Sequence, residues 1–381
     1  MISSLEITNF KAFANAKITL APYTLLSGLN SSGKSTVLQA LALLGQGGMS
    51  DDDLGVMGHF TGVALNGDLV ALGTGQDVLH EEYTATPESE PEIVFRLSGD
   101  EGMDYICRLG YDKDASYLPV HFTESETTHY DRNPGVFTVF AKGFQYLRAD
   151  RINPAVTYQR SGRPFERGAF LGARGEYTVD VLRTHADDLV PDGPLRHSAA
   201  ARPDLLSQAT AWLSEICPGV RLAAAAIEHT DLVRLGFQFT RPLHPVSATR
   251  RPTNVGFGLT YVLPIITACL TAKPGSMVLL ENPEAHVHPQ GQSAMARLTC
   301  AAAAAGTQLV VETHSDHILN GVRLAVKRGL LQPDSVALHY FRREDDGITI
   351  ESPAIGPDGM LSQWPPGFFD EWDRSLDQLL D

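Results

Sequence analysis

Apolar and polar positions alternate over residues 2–20, with Ile2, Leu5 and Ile7 followed by Ala16, Ile18 and Leu20. This period of two predicts two strands joined through the NFKAF segment. The apolar run from Tyr23 to Leu26 predicts a buried strand. From Lys34 to Leu44 the period lengthens. Val37, Leu38, Leu41 and Leu44 recur at helical spacing, which predicts a helix packed on a sheet and ended by Gln-Gly-Gly at 46–48. From about 51 to 150, short β-like runs (VALNGDLVAL, PEIVFRLSG, DYICRLGYD, GVFTVFAKGFQYLRAD) punctuated by Gly and Pro predict a mostly antiparallel lobe. Residues 151–203 are rich in Arg, Gly and Pro and carry little periodicity. A helix is expected near Glu176 and an amphipathic one over 204–217, with short strands at 219–228 and 231–239. Thr260 to Leu270 reads as a core helix. Val278 to Leu280 and Gln308 to Glu312 read as buried strands, and the alanines at 301–305 as a helix end. The segmentation is 1–50, 51–150, 151–250, 251–345 and 346–381, with the first and fourth segments joining into one α/β core around a β-rich lobe and a helical insertion.

A chain of 381 residues suggests two domains, or one large domain with an insertion. Apolar content of 43% and charged content of 20% are those of a globular protein with a sizeable core. Cys107, Cys217, Cys269 and Cys300 are scattered without CxxC spacing, which argues against zinc and a disulfide framework and makes a reduced, cytoplasmic compartment the default. MISSLEITNF lacks the basic and apolar regions of a signal peptide, and no apolar run approaches the roughly 18 residues of a membrane span. With 45 acidic and 30 basic residues the net charge is −15. That balance does not support a broad nucleic-acid surface; a DNA contact would need a local basic patch such as Arg148 to Arg174. No sustained heptad separates the two core segments, so no long coiled coil is expected.

The sharpest chemistry lies between the first buried strand and the first helix. Gly28-x-x-x-x-Gly33-Lys34-Ser35 is a complete phosphate-loop pattern in strand–loop–helix context. Glycines let backbone N–H groups turn inward, and the helix N-terminus adds positive potential. Lys34 would reach the β- and γ-phosphates, and the Ser35 hydroxyl would complete a Mg²⁺ shell, so the pattern implies a nucleoside triphosphate ligand. A second cluster, MVLLENPEAHVHP at 277–289, is a buried-type strand ending in Glu281, the acid expected to order the water shell of Mg²⁺ across the crevice. Before it, Gly256 and Gly258 precede the long apolar helix, either as an anion site or as packing glycines after an N-cap at Thr253 or Asn254. After it, QLVVE ends at Thr313-His314, where a histidine could meet a γ-phosphate.

In order, NFKAF, GLNSSGKST, NVGFG, ENPEAHVHP and ETHSDHILN resemble the ABC-type ATPase heads of SMC, RecF and OLD-like proteins, over roughly 1–46 and 250–345. LRADRINPAVTY, GARGEYTVDVL and WPPGFFDEWD bring the chain closer to prokaryotic AAA-type ATPases that have a C-terminal domain of unknown function and occur in phage-defence loci. The resemblance implies ATP and Mg²⁺ as ligands. Gly28, Asn30, Ser31, Ser32, Gly33, Lys34, Ser35 and Thr36 would form Walker A, Glu281 Walker B, and His314 the switch histidine. Asn254, Gly256 and Gly258 would stand at the signature loop, which in ABC-type heads contacts ATP held by the other subunit. It further implies a head-to-tail homodimer around two nucleotides and a separate effector, a nuclease or toxin.

Two departures qualify the resemblance. The signature position lacks the usual serine and consecutive glycines, and Asn282 stands where the catalytic glutamate is usual. An amide is no general base, so either Glu284 takes the role or hydrolysis is slow. His286 and His288 occupy alternate positions that suit a metal less well than a dimer contact. Three functions stay open: an ATPase controlling an effector in defence against foreign DNA, a non-hydrolysing ATP-gated clamp that binds a partner protein or DNA, and a nuclease, for which the chain after His314 is short.

Overall fold

The computed structural model describes residues 1–47, 62–84, 91–121, 137–141, 143–161, 169–240, 246–344 and 347–380. Parts of the expected β-rich lobe (51–61, 85–90, 122–136, 142) and of the Arg-rich stretch (162–168), and residues 345–346, lie outside these residues.

The chain opens with β1 (Ile2–Phe10) and β2 (Phe13–Thr19), antiparallel around a tight turn at Lys11 as the alternation predicts. β3 (Tyr23–Gly28) leads into α1 (Lys34–Gly47). A small ribbon of β4 (Gly62–Ala64) and β7 (Tyr117–Pro119) flanks a one-turn α2 (Gly75–Val78). β5 (Glu92–Gly99) and β6 (Asp104–Gly110) extend the N-terminal hairpin into an antiparallel sheet of order β2-β1-β5-β6. β8 (Gln145–Leu147), β9 (Tyr158–Gln159), α3 (Thr178–Thr184), α4 (Leu205–Ile216), β10 (Val220–Ala226) and β11 (Leu232–Phe239) follow. α5 (Phe257–Thr271), β12 (Met277–Glu281), α6 (Pro289–Ala304), β13 (Gln308–Glu312), α7 (Asp316–Lys327), β14 (Val336–Glu344), β15 (Gly347–Glu351) and α8 (Glu371–Leu380) complete the chain.

The core is a six-stranded mixed sheet of order β15-β14-β3-β13-β12-β8, parallel throughout except for β15 at one edge. Its strands are apolar on both faces because each face meets a different core. Leu26, Leu279 and Val310 join α1 and the antiparallel sheet. Leu25, Leu280 and Val311 join α4 to α7 and the β10-β11-β9 sheet. The fully buried Gln308 fastens the layers, since its amide meets Ile2 N (3.0 Å), Ile2 O (2.6 Å), Ala21 O (3.3 Å) and Thr138 Oγ1 (2.6 Å).

Two expectations change. β8, read as part of the antiparallel lobe, pairs in parallel with β12 at the edge of the core sheet. The segment after 345 does not begin as a tail, because β15 adds to β14. Within 151–250 the expected helices and strands form α3, α4, β10 and β11, and β9 joins the two strands in an antiparallel sheet.

Candidate functional site

β3 ends at Gly28 with φ at 141°, and a Cβ there would lie 2.1 Å from Phe341 O on β14. Only glycine fits this close passage of two parallel strands. At Gly33, φ is 92° and a Cβ would meet the Phe13 ring at 2.7 Å, so both pattern glycines answer to sterics in the folded chain. Ser31 also adopts positive φ, and Ser32 Oγ donates to Leu29 O (2.8 Å), closing the loop on itself. Asn30 and Ser31 are exposed, and Thr36 is buried on α1. Lys34 is buried at the helix start, and its Nζ donates to Gly28 O (3.0 Å) and Leu29 O (2.7 Å). Burial pulls its pKa below the ordinary lysine value, and Glu312, 3.8 Å away, opposes that.

The carboxylate that meets the loop is Glu312, at the end of β13. Ser35 Oγ donates to its Oε1 and Oε2 at 3.1 and 2.9 Å. Glu312 is 5% exposed; burial pushes its carboxyl up to about 7, against the Ser35 hydrogen bond and Lys34. In the sequence alone Glu312 marks a strand end and carries no role. Its signal was an acid closing an otherwise apolar strand.

Glu281 lies level with Glu312 on the neighbouring strand, one step farther from the loop, because β13 runs between β12 and β3. The Tyr146 hydroxyl donates to its Oε1 and Ala149 N to its Oε2 (2.8 Å). The buried Arg151 holds the turn beyond it, donating to Glu281 O (2.6 Å), Asn282 O (2.7 Å) and Arg148 O (3.0 Å), with its guanidinium 4.2 Å from the Tyr261 ring centroid. Burial lowers the Arg151 pKa to about 10. Asn282 takes positive φ, and its Oδ1 is buried with no partner among the described residues.

Glu284 reaches the strand end from this turn. His314 N donates to its Oε1 (2.8 Å), while its Oε2 is buried with no partner among the described residues. The His314 pKa is lowered by burial and by Lys34, with Glu284 opposing, so the neutral ring is favoured. Lys34, Ser35, Glu312, Glu284 and His314 thus form one cluster, with Glu281 beside it.

Asn254, Gly256 and Gly258 form a second group. Asn254 closes a 3₁₀ turn, Gly256 is the N-cap of α5, and neither Thr253 nor Asn254 caps the helix. A Cβ on Gly258 would lie 2.6 Å from His286 O, so this glycine permits the post-β12 turn to pass close. A cleft of about 300 Å³ opens here between Arg250, Asn254, Gly256, Gly258, His286 and His288, and no phosphate-loop residue lines it. His286 stacks edge-on against Phe257 and Tyr261, and no group of three His, Cys, Asp or Glu suited to a metal occurs among the described residues. For Mg²⁺, the Ser35 hydroxyl and a buried carboxylate are the hard oxygen donors that fit, with phosphates and water expected to supply the rest.

Residues 1–98 match a model described as an AAA ATPase domain. Residues 229–320 match an AAA domain model whose description names the AbiEii toxin and the Type IV TA system, and residues 331–379 match a protein of unknown function, DUF3696. A comparison with curated proteins finds no match. Among solved structures, an SMC head bound to the C-winged helix domain of ScpA is similar at 13% identity and a TM-score of 0.51, covering 93% of this chain and 97% of that one. The SMC head domain from Thermotoga maritima aligns at 12% identity and a TM-score of 0.46, covering 92% and 98%. The fold is thus similar to that of an SMC head, and two stretches of the sequence, 1–98 and 229–320, match AAA ATPase-type domain models.

Proposed function

We propose that this chain binds ATP with Mg²⁺ on the 28–36 loop, dimerises head to tail around the nucleotide, and hydrolyses it to control a partner effector. The observation that carries this reading is the convergence of Lys34 and Ser35 with the acidic end of β13, with Glu284 and neutral His314 alongside. Mg²⁺, when bound, would offset charge on the β- and γ-phosphate oxygens. The loop amides and Lys34 bind and orient the triphosphate. Glu284 Oε2, buried and without a donor among the described residues, is a group able to take a proton from an attacking water, and His314 is poised to contact the γ-phosphate. The cleft around Asn254, Gly256 and Gly258 stands apart from the loop, which favours a role toward the nucleotide of a second copy. Losing the γ-phosphate would remove the contact present in only one state and release the dimer.

The toxin–antitoxin wording attached to one matching model supports a place in prokaryotic defence, with the effector a separate nuclease or toxin. Four free cysteines, three of them buried, support a reduced cytoplasmic setting.

A second reading, a non-hydrolysing ATP-gated clamp, is favoured by Asn282 in the usual place of the catalytic glutamate. Steady-state turnover separates the two. Phosphate release by the wild type that falls at least tenfold in Glu284→Gln supports hydrolysis, and no release from the wild type supports the clamp. Light scattering tests the dimer. An ATP-dependent doubling of mass, absent in Lys34→Ala, is expected; an unchanged mass with bound ATP would contradict it.

A further inference from the structure

Two clefts share Arg250 and Asn254. The one of about 300 Å³ has an apolar floor of Ile216, Phe239, Val255, Leu259 and Val287, with His286 and His288 at its rim. The other, of about 410 Å³, is polar throughout and lined by Thr249, Arg250, Arg251, Thr253 and Asn254. Among the described residues no acid lines either one. Elsewhere in this chain of net charge −15 the arginines find carboxylates. Arg148 and Arg174, the bounds of the expected basic patch, both meet Asp150 (3.0 and 3.4 Å), and Arg183 meets Asp180 (2.7 Å). Arg250 and Arg251, adjacent and exposed, have no ion pair among the described residues.

Arg250 is held where it serves both clefts. Its N donates to Phe237 O (2.8 Å) and its O accepts from Phe237 N (2.9 Å), which pins its backbone to β11. Its guanidinium carbon lies 6.0 Å from the Phe239 ring centroid, against the apolar floor. A guanidinium resting on a ring face keeps its in-plane N–H donors for an anion. At the opposite rim, His288 Nδ1 accepts from Gln290 N (3.3 Å), so the neutral ring carries its donor on Nε2. An apolar hollow beside unpaired donors suits a ligand with one part for each. We propose that the double cleft binds a small organic anion, with a flat apolar body over Phe239 and Leu259 and a phosphate-type oxyanion on Arg250 and Arg251. Every wall belongs to one copy. The site therefore goes beyond the role given to Asn254, Gly256 and Gly258 toward a second copy's nucleotide, and it does not need ATP on the 28–36 loop.

Fluorescence titration with 1-anilinonaphthalene-8-sulfonate in the absence of ATP tests this, because the dye joins a flat apolar body to an oxyanion. The net charge of −15 disfavours the dye elsewhere, so saturable binding marks a local cation. One site per chain is expected in the wild type and equally in Lys34→Ala. Phenyl phosphate should displace the dye at concentrations where phenol alone or inorganic phosphate alone does not. Arg250→Ala should weaken binding by about tenfold or more. Gly256 has φ of −59°, and a Cβ there would meet nothing within 4 Å, so Gly256→Leu fills the apolar cleft without strain and should abolish the site. Thermal melting without dye shows that each variant is folded. Dye uptake that does not saturate, or that stays unchanged in either Arg250→Ala or Gly256→Leu, would overturn the inference. So would its loss in Lys34→Ala, which would assign the dye to the phosphate loop. A wild type that takes up the dye as expected but binds no ATP would defeat the nucleotide reading and leave this inference standing.

Discussion

Arg151 bears more local structure than its place in an irregular stretch suggests. It is among the largest fully buried side chains, and its guanidinium supplies donors to three carbonyls around the Glu281 turn. Arg151→Leu should cost about 3 kcal/mol, because buried carbonyls lose their donors, and should be seen as a lowered melting temperature with weakened ATP turnover. Gly28→Ala should cost about 1–3 kcal/mol, since φ of 141° and the contact with Phe341 O both penalise a Cβ, and the melting temperature should fall accordingly. His339 gives a pH signature. Its Nε2 donates to Thr19 O and its Nδ1 accepts from Ser352 Oγ, both at 2.7 Å, and burial lowers its pKa despite the Thr19 bond. The unfolded chain then binds the proton more readily. Stability from this group is complete above about pH 6.5 and declines as pH falls below it, by at most about 1.4 kcal/mol per pH unit. Denaturant melts from pH 7 to 5 should show a shallower decline in His339→Gln; an unchanged slope would contradict the assignment. At this scale the phosphate-loop residues were legible because their spacing is local. Arg151 and Glu312 were not, since their roles depend on partners more than a hundred residues away.

Among the elements, the buried strands flanking the loop, α1 and the N-terminal hairpin follow directly from apolar periodicity. β8 and β9 do not, because strands of three and two residues are too short to display a period. Their places at sheet edges are set by partners, β12 for one and β11 for the other. Gln308 shows the same limit, since a polar residue opening an apolar strand looks like a boundary, yet its amide ties β1 to β13. Gln308→Leu should leave Ile2 N and O unmet in a dry layer and cost about 2 kcal/mol or more. Hydrogen exchange should then speed in β1 before the core strands. Uniform protection loss across the molecule would argue instead for global destabilisation.

For the whole molecule, three separated stretches of sequence, carrying β3, β8 and β12 to β15, build one sheet, with the 151–250 segment packed against one face through the core that also holds α5 to α7. Net charge of −15 argues against a broad nucleic-acid surface. In the proposed function the loop and the acidic strand ends form one nucleotide site. Titration calorimetry of ATP with Mg²⁺ into the wild type and Lys34→Ala tests this most directly. One ATP bound per chain, with binding lost in Lys34→Ala, is the predicted result. No heat of binding in the wild type, or undiminished binding in Lys34→Ala, would contradict it.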